Sequence, residues 1–385
     1  MLRIHSSHIN GFSRGKVSLT FFDESKEVKT ATFSVPADFK VGNDAIAATA
    51  IAIRPMACSE IEFNFPVSIR ARDIAEKDYK IEIKSEVETA YNPTSRYANY
   101  LNFSGGIDSL AAYYLLGDAS RNISIDFGGY FKREADWFRE WPTYIVETDF
   151  REKPFIESLD WRFMGSCAML YSDYLQIDTV YWGTVLEASP YWFSSNKKVD
   201  ADNAVSTHAF AIAGLKMGQT VTPLSEFGTM KLALQLGDIT VQKSIVRCAA
   251  PRSEKSIRKL LLARLAQGDR VDSAFWEVNQ CTRKYVFGTS FAVDILTMYF
   301  ISKIGIKLVR AHLADITDDQ LAEIKALDMC FFEKYNVANL ESIPKSVCGQ
   351  IIAGYENAGL APYSLSDFTA LEACRDYLKQ VHRFM

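Results

Sequence analysis

The stretch Leu101-Asn102-Phe103-Ser104-Gly105-Gly106-Ile107-Asp108-Ser109-Leu110 decides how this chain is read. An apolar run ends at Phe103. Beyond the glycines, Ile107, Leu110, Ala111 and Tyr114 recur at the i, i+3, i+4, i+7 spacing of a buried helical face. The stretch therefore predicts a strand, a tight turn and a helix. Two glycines let a backbone turn sharply and come close to a ligand. A helix start directs N–H groups and a partial positive charge at whatever sits over it. Ser104 and Ser109 add hydroxyls. Asp108 would repel a bare phosphate, and its place makes sense where a divalent metal ion bridges it to phosphates.

Outward from this corner, apolar strands alternate with helical stretches. Strands are expected at 97–103, 123–127, 144–148 and 179–183, with helices to 116 and at 132–138 and 165–175. That alternation predicts an α/β fold, a parallel sheet with helices on both faces. Residues 1–95 read as a β-rich N-terminal domain: 16–22 is β-branched and aromatic, 27–35 and 61–65 alternate with period two, and 45–53 reads as a short helix. The charge-dense stretch 76–88, with Ile81 and Ile83 between Lys80, Glu82 and Lys84, reads as an exposed edge strand. The breaker Asn92-Pro93-Thr94-Ser95 sets the boundary to a second domain, 96–250. The remainder, 251–385, reads as a helical C-terminal region, with helices at 255–266, 291–312, 318–333 and 366–381.

Composition bounds the function. The chain has 385 residues, 48% hydrophobic and 23% charged, which excludes disordered and low-complexity classes and implies more than one domain. A formal charge of −4 argues against a long nucleic acid as partner. No apolar run approaches the roughly 20 residues that span a bilayer, and the first residues lack the apolar core of a signal peptide. Seven scattered cysteines without a CxxC pair suit free thiols in a reducing cytoplasm. The 25 Phe and 18 Tyr supply either large cores or apolar surface for a partner.

The glycine turn is not a Walker A loop, because no Gly-Lys-Ser/Thr follows, and it lacks the third glycine of a dinucleotide fingerprint. It matches, in every fixed position, the SGGxDS signature of the PP-loop ATP pyrophosphatases, the adenine nucleotide alpha hydrolase-like superfamily of HUP-type fold. Further segments resemble the 7-cyano-7-deazaguanine synthase (QueC) family. These are Asp126-Phe127-Gly128-Gly129 with Glu134 and Ala135; Val180-Tyr181-Trp182-Gly183; and Thr222-Pro223-Leu224 with Thr229-Met230-Lys231, Ser244 and Cys248. The resemblance covers residues 100–250. It departs from the family where Phe127 and Gly129 replace tyrosine and glutamine. The family's four zinc thiolates are represented here by Cys248 and Cys281, with Phe275 and Val278 in the other places. Two sulfurs do not close a tetrahedral site, so no zinc is expected. The extra N- and C-terminal regions make the layout similar to the QueC-like proteins of anti-phage operons, the QatC type and its CBASS counterparts.

The resemblance implies an ATP-dependent adenylating ligase or synthase. ATP and Mg²⁺ would bind over Ser104, Gly105, Gly106, Asp108 and Ser109, with Asp126, Phe127, Gly128 and Gly183 beside the nucleotide. Asp108 would hold the metal, and Lys231 would neutralise the departing pyrophosphate or be a solvated helix residue. The implied acceptor is a 7-deazapurine carboxylate, passed to ammonia or to an amine of a protein partner in antiviral defence. A cytoplasmic protein without membrane or nucleic-acid partner is expected, and a homodimer is allowed. A PP-loop amidase acting on another small molecule, and a non-catalytic nucleotide-binding scaffold, are the rival readings. Among smaller signals, Phe127 suits either adenine stacking or a core. Asp149 and Arg151 suit either substrate or a loop ion pair. Arg162 and Glu187 are further phosphate or substrate candidates. His208 and Cys167 read as structural, and Tyr181, Trp182, Tyr191, Trp192 and Phe193 read as pocket wall or core.

Overall fold

The computed structural model describes residues 1–7, 15–23, 26–55, 57–88, 95–151, 161–188, 193, 208–268, 281–314 and 316–382. Twelve strands are formed among them: β1 Leu2–Ser6, β2 Lys16–Asp23, β3 Lys26–Ser34, β4 Glu60–Phe63, β5 Val67–Ser68, β6 Glu82–Lys84, β7 Val87–Glu88, β8 Ala98–Asn102, β9 Arg121–Asp126, β10 Thr143–Glu147, β11 Ile177–Trp182 and β12 Lys216–Gln219. The fold is α/β. A five-stranded all-parallel sheet is flanked by helices, with a mixed N-terminal sheet and a helical C-terminal region.

The parallel sheet runs β10-β9-β8-β11-β12. The chain lays β9 and β10 on one side of β8, then returns to place β11 and β12 on the other. This reversal puts a topological switch beyond the carboxyl ends of β8 and β11, where ligands bind in open parallel sheets. The glycine loop follows β8, and Gly183 follows β11.

Packing divides the chain into two compact units that interleave in sequence. One is 1–104 with 118–181 and 202–218; the other is 105–117 with 182–201 and 219–385. The sequence boundaries at 95 and 250 are continuous cuts, whereas these units each gather three separate stretches.

In the first unit the mixed sheet runs β3-β2-β1-β4-β6. Its β1–β2 and β2–β3 pairs are antiparallel, and its β1–β4 and β4–β6 pairs parallel. The helix Asn43–Ile53 is buried along nearly its whole length, which its alanine and isoleucine content allows. Within the charged stretch at 76–88, β6 is the edge of the mixed sheet, with Ile83 buried between exposed Glu82 and Lys84, and β7 pairs with β5 in a separate two-stranded sheet; 75–79 is helical instead. The mixed sheet is tied to the parallel one. Thr148 bridges Phe33, the Asp149 carboxylate accepts the Thr32 N–H at 2.8 Å, and the Tyr171 hydroxyl donates to the Ser34 carbonyl at 2.6 Å. Asp149 is thus a backbone cap. The helix expected at 165–175 ends at Leu170, and turns carry the chain to Gln176, whose φ of 53° lies in the left-handed region.

In the second unit the helix Ile107–Leu116 packs on Glu226–Leu234 and on Lys345–Asn357. The side-chain amide of Gln350 donates to the Leu115 and Leu116 carbonyls at 2.7 and 3.0 Å, closing that helix's C-terminal end. The aromatics Tyr299, Phe300, Phe331, Phe332 and Tyr335 are all buried, so they build this unit's core and do not supply an exposed apolar surface. The helix expected at 291–312 breaks at Gly305, which sits at a φ of 72° between Phe291–Ile304 and Ile306–Val309.

Candidate functional site

The glycine loop forms as its residues dictate. Gly105 adopts a φ of 71°, a conformation that costs other residues but not glycine. Gly106 is extended and caps the helix Ile107–Leu116. The buried Ser244 hydroxyl donates to the Gly105 carbonyl at 2.7 Å, which fixes the turn. The Ser109 hydroxyl donates back to the Gly106 carbonyl at 2.9 Å. Gly183 lies against the helix start. A Cβ there would stand 2.8 Å from the Asp108 carbonyl oxygen, so only glycine fits.

Asp108, second residue of that helix, keeps about a third of its side chain exposed, at 31%. Its Oδ1 accepts the Thr229 hydroxyl at 2.7 Å and lies 3.5 Å from the Lys259 Nζ. The Lys259 side chain is only 7% exposed and also lies 3.1 Å from Glu226 Oε2. Arg258 grips both Glu226 oxygens at 2.8 and 2.9 Å, and its Nε bonds Glu254 at 2.8 Å. The Glu226 N–H in turn donates to Glu187 Oε1 at 2.7 Å, while Glu187 Oε2 is buried without a hydrogen-bond partner among the described residues.

This chain of charges sets its own protonation. Burial, then the nearby Glu226 carboxylate, push the Glu187 carboxyl up to about 8, so it carries a proton at neutral pH. Burial also disfavours the Glu226 carboxylate, but the Arg258 and Lys259 cations outweigh it and hold Glu226 below its ordinary range. Burial disfavours the Lys259 ammonium, and Asp108 and Glu226 overcome that, raising its pKa. Among the described residues, ion pairs thus link the carboxylates Asp108, Glu226 and Glu254 to the cations Arg258 and Lys259. A polyphosphate approaching the exposed Asp108 is repelled by its carboxylate unless a dication comes with it.

Gly105, Gly106, Asp108, Ser109 and Gly183 therefore come together in one unit, with Ser244 and Thr229. Ser104 is the last residue of a stretch of the other unit. Asp126, Phe127 and Gly128 also lie in that other unit. There Asp126 accepts the Gly128 N–H at 2.8 Å and pairs with Arg139 at 2.6 Å, a local closure of the turn after β9. Phe127 is buried, edge-on to Phe131, Phe150 and Phe163, and the Arg151 guanidinium stacks 4.6 Å from the Phe163 ring and 5.0 Å from that of Phe131.

Lys231 sits two positions beyond Thr229, about 200° around the helix. Its ammonium lies 3.4 Å from the Gly359 carbonyl and 6.0 Å from the Phe227 ring. Cys167, Tyr181, Trp182 and Phe193 are buried. The side chains of Arg162 and His208, and residues 191, 192, 275 and 278, lie outside the described residues. Among the described residues no three His, Cys, Asp or Glu side chains group as a metal site.

The sequence reading missed Arg258, Lys259 and Glu226. One signal was available: in Glu254–Gln267, Arg258 and Lys259 fall among Ile257, Leu261 and Leu262, the buried positions of that helix, where a basic pair requires acidic partners. No family model, no curated protein and no solved structure matches this chain.

Proposed function

We propose that this protein is a PP-loop nucleotide enzyme of HUP type, QueC-like in character. In this reading it cleaves ATP between the α and β phosphates to adenylate a carboxylate, with a 7-deazapurine acid as the leading acceptor, and passes it to a nitrogen nucleophile. The observation that carries the reading is the partly exposed Asp108 at the helix start, beside a positive-φ glycine. A loop built for bare phosphate has no use for that carboxylate; a loop built for metal-bound polyphosphate does. The residues present fit such an ion as one carried in with the nucleotide, because a magnesium ion is held by one or two carboxylates together with substrate phosphates. Bound there, it would neutralise charge developing on the pyrophosphate.

The chain's own residues do the rest. Gly105 and Gly106 allow close approach of the backbone, and the helix start offers its partial positive charge. Thr229 holds Asp108 in one orientation, a charged hydrogen bond of about 1.5–3 kcal/mol. Ser244 keeps the turn closed. Such positioning and charge neutralisation are the main protein contributions to phosphoryl-type transfer. The test is pyrophosphate release from ATP with 7-deazapurine carboxylic acids, in the wild-type protein and in Asp108→Asn. Release in the wild type and its loss in the variant are expected. ATP binding without release under any acceptor supports the scaffold reading, and unchanged release in Asp108→Asn refutes the metal role of Asp108.

A further inference from the structure

We propose that Lys259 is a resident counter-ion of Asp108 that bars free divalent cations, so that the site takes a metal ion only together with a polyphosphate. The proposal rests on the nucleotide reading above and assigns a gatekeeping role to a residue outside the glycine loop.

Three observations carry it. First, Lys259 Nζ is buried and lies 3.5 Å from Asp108 Oδ1, on the most exposed carboxylate of the cluster. Second, its other neighbour has a further cation. Glu226 is already held at both oxygens by Arg258, at 2.8 and 2.9 Å. Third, the ammonium bridges two carboxylates, 3.1 Å from Glu226 Oε2 and 3.5 Å from Asp108 Oδ1, so it can lean towards a new anionic partner while keeping one ion pair.

A dication approaching Asp108 meets Lys259 with twice the repulsion of a single positive charge at the same distance. Asp108 is already paired with that ammonium, so a free, hydrated dication gains little net attraction from it. A triphosphate brings several negative charges with the metal. Those charges offset the repulsion and give Lys259 a new anionic partner, so metal and nucleotide enter as a unit. Lys259 acts through Asp108 and is a positioning residue in this scheme.

The test uses Mn²⁺ as probe on the full chain, followed by the spectroscopic signal of the free ion. The wild type should show no Asp108-dependent binding of Mn²⁺ alone, and should show it with a non-hydrolysable ATP analogue. Lys259→Met should bind Mn²⁺ alone about tenfold or more tightly than the wild type, and lose that binding when Asp108→Asn is added. Lys259→Arg keeps the charge and should exclude Mn²⁺ as the wild type does. Equal Mn²⁺ binding by wild type and Lys259→Met overturns the proposal. Should Lys259→Met fail to fold, Asp108-dependent binding of Mn²⁺ alone by the wild type overturns it equally well. A wild type that never binds the nucleotide counts against the nucleotide reading, while the Mn²⁺ comparison still decides the role of Lys259.

Discussion

Replacing Gly183 with alanine probes the packing that sets the loop, independently of any reading of function. The added Cβ would lie 2.8 Å from the Asp108 carbonyl oxygen, 2.9 Å from its carbon and 3.1 Å from the Ser109 nitrogen, where ordinary contact begins at 3.4 Å. The closest approach is thus about half an ångström short of a normal contact, and overpacking of this kind is costly. All three obstacles are backbone atoms at the start of a helix, so no side chain can rotate away. Overpacking typically costs about 1–3 kcal/mol. Against this, alanine restricts the unfolded chain and returns about 0.4–1 kcal/mol where the native backbone suits it, and Gly183 is not at positive φ. The expected balance is a destabilisation of about 1–2 kcal/mol. Equilibrium unfolding in urea should show a lowered midpoint at unchanged slope. Relief of the clash also displaces Asp108, so the 2.7 Å bond from Thr229 should be strained with it. A Gly183→Ala protein as stable as the wild type would refute the close approach of these two segments.

Three further expectations follow. Glu187 is raised to about 8 by burial and then by Glu226, against 4.5 for the ordinary group. The folded state therefore holds a proton that the unfolded state has lost, and this contribution to stability falls as pH rises from about 4.5 to about 8, by about 5 kcal/mol at most. Buried His312, pushed down to about 4 by burial and then by Arg258, works in the opposite sense between about 4 and 6.5, so the Glu187 slope should be clearest from about 6.5 to 8. Thermal or urea unfolding across that window should show the slope in the wild type and its absence in Glu187→Gln; identical profiles would contradict a buried, protonated Glu187. Gly349 lies exposed inside the helix Lys345–Asn357, and a Cβ added there would meet nothing within 4 Å, so Gly349→Ala should raise stability by about 0.5–1 kcal/mol in the same unfolding assay. Asp108→Asn should leave the fold intact by circular dichroism and, if the proposed nucleotide chemistry holds, abolish the pyrophosphate release it predicts; unchanged release would refute the metal role of Asp108.

Much of the local structure was legible because it is written in short-range patterns. The corner at 101–110 could be read as strand, turn and helix from glycine placement and a 3.6-residue apolar repeat, and β9, β10 and β11 from apolar runs at regular spacing. The four-residue β12 was not legible, since so short a run carries no period. The helix Lys345–Asn357 was also missed, because its buried positions are only Val347, Ile351 and Tyr355, among glycines and polar residues. The reach of the charge-dense edge was overestimated, because alternation at Ile81 and Ile83 does not reveal that the five residues before Lys80 coil into a helix.

The sequence by itself determined the glycine turn, the helix that follows it, the parallel α/β class and Asp108 as the acidic group at the helix start. These depend on residues within a few positions of one another, where backbone sterics and periodic burial act directly. Only the tertiary structure decided which cation meets Asp108. The family resemblance singled out Lys231 for the departing pyrophosphate; its ammonium lies beside the Gly359 carbonyl, and it is Lys259 that lies beside the Asp108 carboxylate. Only the tertiary structure, too, made the packing units discontinuous and turned the C-terminal aromatics into core. The physical reason is separation along the chain: Asp108 meets Lys259 across 151 positions and Lys231 meets Gly359 across 128, while the aromatics pack on other helices tens of residues away, and no local pattern records which distant segment will supply the partner.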